Sequence, residues 1–230
     1  SRVRLFIVGV RKPTIEPAPV TGGFFRSAVR PKALADFILD HPDINWNLRN
    51  LPDPPRLQTS LPDLLEALPA SSPTWWKAAK AAYLLGQMSV KHRKTADEMI
   101  GRRKWSFGTV FRRVRSGKCM AELRTDGIAG CLRTPRGGSG RQILFKAGYG
   151  RYQVRLLTPR ECARLMGADD YQISGRLNQS LFGFGDAVCV PAVEWIARHY
   201  LDPLWDSEFA RVTPSSKRRS RHPNPLPSRG

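Results

Sequence analysis

Leu156-Leu157-Thr158-Pro159-Arg160-Glu161-Cys162-Ala163-Arg164-Leu165-Met166-Gly167 is a short helix with both of its ends written into it. Thr158 suits the N-cap and Pro159 the first helical position. Glu161 stands third, where its carboxylate can return a hydrogen bond to the cap and complete a capping box. Leu157 can staple onto Cys162 across that cap, and Gly167 suits a left-handed C-cap. Arg160 and Arg164, four residues apart, share a face away from Leu165. They could pair with acids or touch phosphate, and the structural role is the better reading. Downstream, Phe184-Gly185-Asp186-Ala187-Val188-Cys189-Val190-Pro191 reads as a turn entering a second helix. That helix carries Val193, Ile196, Ala197 and Tyr200 on one stripe, suited to packing on a sheet, and Asp202-Pro203 should stop it. Capping chemistry explains each piece but not their pairing.

The surroundings narrow the class. The 230 residues suffice for one domain with a core, or a small domain plus part of another. Lys and Arg number 38 against 19 Asp and Glu, a formal charge of +19. A polyanionic partner is the economical explanation of that imbalance. Cys119, Cys131, Cys162 and Cys189 have no CxxC spacing and read as reduced, mostly buried residues of an intracellular protein, with no metal site. No apolar run approaches transmembrane length and no signal peptide is evident, so no membrane partner is expected.

Leu5-Phe6-Ile7-Val8-Gly9-Val10 is an unbroken apolar run of strand length, as expected for a parallel strand covered on both faces. Such a strand needs neighbours, and no alternating strand–helix series follows to supply them. Residues 12 to 73 are punctuated by proline, with amphipathic pieces near Ala33–Leu39 and Leu61–Leu68. Thr74 to Leu85 has strong helix propensity, and a second helix is expected around Lys94–Ile100. From Lys91 to Lys118, ten basic residues, Lys104 and Arg112 among them, meet only Asp97 and Glu98, with Trp105, Phe107 and Phe111 interleaved. A solvated basic face would account for such a run alone. In a chain this basic, phosphate contact is the better reading. Short β segments and glycine turns are expected between Asp126 and Tyr152, and disorder in the basic tail from Ser207.

Together these blocks resemble the C-terminal part of the cytosine-C5 DNA methyltransferases. Thr158–Gly167 is similar to the family's penultimate signature block. Asp186-Ala187-Val188 is similar to the last, which by resemblance helps line the S-adenosylmethionine site; the family commonly has Asn where Asp186 stands. Ser1-Arg2-Val3-Arg4 ahead of the apolar run looks like the block in which two arginines lead a buried strand. The resemblance places Arg4 in the catalytic pocket against the flipped cytosine and Arg2 near the active-site loop and DNA backbone. Thr125 to Gln142 is similar to the target-recognition region, a short strand leading into a glycine-rich loop. There Arg133, Thr134, Arg136, Gly137, Gly138, Ser139, Arg141 and Gln142 would approach DNA, with the long side chains offering donors to base edges. Where family members often carry Thr-Leu, this chain has Cys131-Leu132.

The same comparison exposes what these residues do not contain. Cytosine C5 is a poor nucleophile, so the family adds a thiolate from a Pro-Cys loop to C6, which makes C5 an enamine carbon able to take the methyl group, helped by the acid of a Glu-Asn-Val block. None of the four cysteines follows a proline, and no Glu-Asn-Val triplet occurs. Leu181-Phe182-Gly183-Phe184-Gly185-Asp186 superficially resembles the glycine loop that cradles the cofactor. It lacks the flanking strands that such a loop needs, and we reject it.

The expected fold is therefore mixed α/β: the C-terminal fragment of a Rossmann-like methyltransferase with a small irregular β-rich recognition domain. Residues 1–12 would be a catalytic-domain strand and 13–155 the recognition region, helical over 74–100 and β-rich over 105–155. Residues 156–205 would rejoin the catalytic domain, leaving 206–230 as a basic tail. Expected partners are double-stranded DNA and an N-terminal catalytic half or partner subunit, in the bacterial cytoplasm. The rival readings are a non-catalytic sequence-specific DNA-binding protein or the specificity subunit of a split enzyme, and, with no aromatic-bearing RNA motif to favour it, a basic RNA-binding protein.

Overall fold

The computed structural model describes residues 4–9, 27–56, 58–134, 140–173 and 177–206. The chain divides into two compact units. One comprises Ser1–Ile7 with Pro55–Glu194, the other Val8–Pro54 with Trp195–Gly230.

The larger unit is built on a four-stranded antiparallel sheet of order β2-β1-β3-β4, with β1 Ser106–Arg115, β2 Lys118–Arg124, β3 Ile143–Gly148 and β4 Arg151–Leu156. Two-residue turns at Ser116-Gly117 and Tyr149-Gly150, all at positive φ, close the β1–β2 and β3–β4 hairpins. The alternation of β3 sorts the two faces. Ile143, Phe145 and Ala147 point into a core with Leu84, Leu85, Ala96 and Met99. These come from α3 (Ala78–Gly86) and α4 (Val90–Gly101). Leu144 points the other way, into a second core with Leu61, Leu157, Cys162, Ala163, Leu181 and Phe184. Those residues belong to or adjoin α2 (Leu61–Leu64), α5 (Pro159–Leu165) and α6 (Leu177–Asp186).

Helix α5 forms as its sequence reads. The Thr158 hydroxyl accepts from the Glu161 N–H, and the Glu161 carboxylate accepts from the Thr158 N–H. Leu157 and Cys162 are buried together, and Gly167 takes φ +70°. The expected helix from Thr74 begins only at Ala78. Trp75 and Trp76 stay outside it because the Trp76 N–H donates to the Val154 carbonyl, extending the edge of β4 instead. The β region starts at Ser106, and Thr125 to Thr134 forms no strand. The strand leading toward the glycine-rich loop is β2, ending at Arg124.

In the smaller unit, α1 (Lys32–Asp40) buries Ala35 and Ile38. The Trp46 indole donates to the His41 carbonyl at 2.8 Å, and the Tyr200 hydroxyl donates to the Asn47 carbonyl at 3.2 Å.

Two expectations fail outright. Leu5 to Val8 is not a buried strand: Leu5 is 64% and Ile7 85% exposed, and none of residues 4–9 joins a ladder. An apolar run becomes a strand only where neighbours supply hydrogen bonds and cover, and the described residues offer this run neither. Asp202-Pro203 does not stop the last helix. Helix α7 (Val190–Ile196) passes into a π-helical turn at Ala197–Leu201 and continues to Asp206. The wider turn accommodates a proline that cannot donate to the preceding carbonyl ladder. Finally, Leu177–Asp206 taken end to end is long and apolar enough to cross a membrane by length and composition. Its apolar residues are spread along the stretch rather than gathered in one run. The stretch is interrupted at Ala187–Cys189, and its first part sends Leu181 and Phe184 into the sheet core, while most of the stretch is exposed.

Candidate nucleic-acid interface

The loop expected to read DNA sits between two anchored stems. Residues 135–139, and so Arg136, Gly137, Gly138 and Ser139, lie outside the described residues, as does Arg2. Of the stems, Arg133 is exposed and Thr134 half-buried. Helix α6 presses on them at Gly185: a Cβ there would lie 2.4 Å from the Thr134 nitrogen and 2.5 Å from the Arg133 carbonyl carbon. Only glycine permits that approach without moving the backbone. On the other stem, Arg141 donates to the Asn178 side-chain carbonyl on α6. Gln142 corrects the sequence reading. It is buried, its amide donates to the Cys131 carbonyl at 3.2 Å, and it braces the loop base instead of offering an outward donor.

Behind the loop stands a joint that the sequence does not reveal. Arg155 and Glu161, each about 1% exposed, form a two-pronged ion pair at 2.6 and 2.5 Å. Glu161 also accepts from the backbone N–H of Glu66 at 2.9 Å, and Thr158 donates its hydroxyl to the Glu66 carboxylate. One capping glutamate thus ties β4, α5 and the segment after α2. Alternation along β4 puts Arg155 on the face of Arg151 and Gln153, so the pattern alone assigns it outward. The paired arginines of α5 take the structural role. Arg164 bonds Asp169 at 2.9 Å and the Leu64 carbonyl, while Arg160 donates to the Asp169 and Tyr171 carbonyls.

The two blocks quoted first meet in space. The Val190 N–H donates to the Met166 carbonyl at 2.9 Å, and Pro191 Cδ stands 2.4 Å from where a Cβ on Gly167 would be. Asp186, Ala187 and Val188 lie at this junction, all exposed. The run Leu181–Asp186 is helical, in keeping with its rejection as a cofactor loop. The open turn supplies one carboxylate and small apolar groups. These do not by themselves enclose a cofactor.

Of the remaining candidates, Arg4 and Lys104 are exposed and Arg112 is half-buried in β1. The cysteines are all free. Burial, aided by the Glu161 carboxylate, pushes the Cys162 thiol up to about 12, the opposite of what a thiolate nucleophile needs. Among the described residues no three His, Cys, Asp or Glu side chains cluster as metal ligands.

A basic antiparallel sheet carrying an arginine- and glycine-bearing loop on rigid stems defines a module of the kind that meets polyanions. The family model for C-5 cytosine-specific DNA methylases matches residues 1–201, and the chain belongs to that family. Comparison with curated proteins finds no match. Membership makes this a DNA cytosine methyltransferase by family, and enzymes of that family act on DNA with S-adenosylmethionine as methyl donor.

Proposed function

We propose that these 230 residues are the DNA-reading and closing portion of a cytosine-C5 DNA methyltransferase. The nucleophile and cofactor loop are carried by polypeptide outside them, either continuous with this chain or on a partner subunit. The carrying observation is the loop stem. A glycine-rich, arginine-bearing segment springs from stems held by α6 at Gly185 and Asn178, so that it meets DNA from a rigid base. Arg133 and Arg136 would take base edges, with Arg141 and Gln142 fixing the loop's base. Arg4 would face the extruded cytosine and Arg2 the backbone near it. The exposed Asp186–Val188 turn would complete one wall of the cofactor site.

Two further observations support a missing half. No cysteine sits in a Pro-Cys loop, and the one fully buried cysteine has its thiol held protonated. Leu5, Ile7, Val190 and Val193 are exposed apolar residues at the places where catalytic-domain packing is expected. By itself the chain should bind DNA without transferring methyl groups. It acts where cellular DNA is, in the bacterial cytoplasm at the nucleoid. The absence of the nucleophile also favours a second reading, a DNA-binding protein that never meets a catalytic half.

Selection of bound sequences from a random duplex pool tests the assignment of the loop. R136A should relax or abolish sequence choice, while K104A should weaken binding to all sequences alike. Unchanged selection by R136A would remove the loop from recognition.

A further inference from the structure

The corner of the sheet at the β3–β4 hairpin gathers cations from three separate segments. The tip of the β3–β4 hairpin is locked onto the link between α4 and β1. The Tyr149 N–H donates to the Arg102 carbonyl at 2.7 Å, and the Gly150 N–H to the Ile100 carbonyl at 2.9 Å. Gly148 approaches so closely that a Cβ on it would lie 2.3 Å from the Lys104 carbonyl oxygen. This fixes Arg102, Arg103 and Lys104 beside Lys146 and Arg151. All but Lys146 are exposed, and none of the five has an ion-pair partner among the described residues.

Two of these cations, Lys146 and Arg151, lie over aromatic rings. Lys146 Nζ lies 4.6 Å from the Trp105 ring centre and 5.9 Å from that of Trp75. Arg151 Cζ lies 5.8 Å from the Trp105 ring, whose edge-to-face partner is Tyr149 at 5.5 Å. A ring face restrains an ammonium or guanidinium without neutralising it. Carboxylate partners would have fixed the same groups but cancelled their charge. The arrangement therefore keeps positive charge in place and available. By strand rise, Lys146 stands about 10 Å along β3 from Ile143, where the loop's second stem enters the sheet, within reach of one duplex lying across both.

We infer that this corner is a second DNA contact, a phosphate clamp that grips the duplex backbone outside the recognition loop and carries no sequence information. The inference rests on the DNA-reading role proposed above, and its test separates the two. Binding of the whole chain to random-sequence duplex is measured by fluorescence anisotropy across a salt series. The comparison is between wild type, K146Q/R151Q and, as a charge control, K32Q, whose lysine pairs with Asp36 on α1.

The double variant should bind duplex on the order of tenfold more weakly at moderate salt. Its plot of log affinity against log salt should be shallower by about 1.8, two phosphate contacts' worth. The sequences selected from a pool should not change, K146R/R151K should restore both affinity and slope, and K32Q should leave both alone. Wild-type near-ultraviolet circular dichroism in K146Q/R151Q ensures that lost binding is not lost folding. A variant that binds with wild-type affinity and slope overturns the clamp while leaving the loop's role standing. Loss confined to single-stranded DNA also overturns it. Failure of the wild-type chain to bind any duplex overturns the DNA-reading role itself, and the clamp with it.

Discussion

Replacing Glu161 by Ala strikes the joint on which the recognition loop and the closing helices both depend. The substitution leaves the Arg155 guanidinium, about 1% exposed, without its counter-charge. Breaking one partner of a buried pair costs about 3–5 kcal/mol, because the surviving charge is stranded in low dielectric. The backbone N–H groups of Glu66 and Thr158 lose their acceptor as well, at about 1 kcal/mol or more each where water cannot replace it. A loss of about 5–7 kcal/mol is therefore expected, a large share of the roughly 5–15 kcal/mol that holds a domain folded. E161Q keeps acceptors while removing the charge and should fall between. R155M/E161L removes both charges at similar volume and should recover most of the loss. Urea unfolding followed by tryptophan fluorescence is a suitable assay, because Trp75 lies 5.1 Å from the Arg155 guanidinium and reports on this unit. A cost below about 1.5 kcal/mol for E161A, or strict additivity in the R155M/E161L cycle, would refute the reasoning.

Two further outcomes follow from the same junction. G167A forces a side chain into left-handed backbone and against Pro191. It should cost about 2 kcal/mol, a melting temperature lower by roughly 4–8 °C in a calorimetric scan, and an unchanged temperature would contradict the packing of the two blocks. Cys162 should resist thiol reagents at pH 8 while the half-buried cysteines react, giving full labelling only after unfolding. Its thiol is raised from 9.0 to about 12, so the unfolded chain gives up that proton first as pH rises. The stabilisation is complete below pH 9 and is lost between there and about 12, and unfolding midpoints in C162A should fall less steeply across that window.

Much of this was legible in the sequence where local chemistry decides. Thr158, Pro159, Glu161 and Gly167 specify a helix and its two ends within twelve residues, and they fold accordingly. The spacing of Arg160 and Arg164 leaves acid pairing and phosphate contact both open, and the structural role, the preferred reading, is the one they take. What failed depends on neighbours distant in the chain. Leu5 to Val8 reads as a buried strand from composition, yet a strand is a property of its partners. Trp75 and Trp76 lead into a helix-forming run, but the Trp76 N–H is claimed by the edge of β4. Gln142 looks like a DNA donor until Cys131 is brought beside it. Arg155 and Glu66 carry no motif at all, because the pair they complete exists only once β4, α5 and the segment after α2 are folded together. The cation cluster at the hairpin tip was half visible, since Lys104 and Trp105 stand in the basic run. The contribution of Lys146 and Arg151 comes from strand register.

Methyl transfer by reconstitution tests the central claim most directly. The chain is mixed with a polypeptide carrying the cofactor loop, Pro-Cys and Glu-Asn-Val blocks of this family's N-terminal half. Transfer of labelled methyl from S-adenosylmethionine to duplex DNA is then counted. The division of labour proposed here predicts no incorporation by either polypeptide alone and sequence-dependent incorporation by the mixture. Incorporation by this chain alone, or a stable complex that binds DNA and transfers nothing, would contradict it.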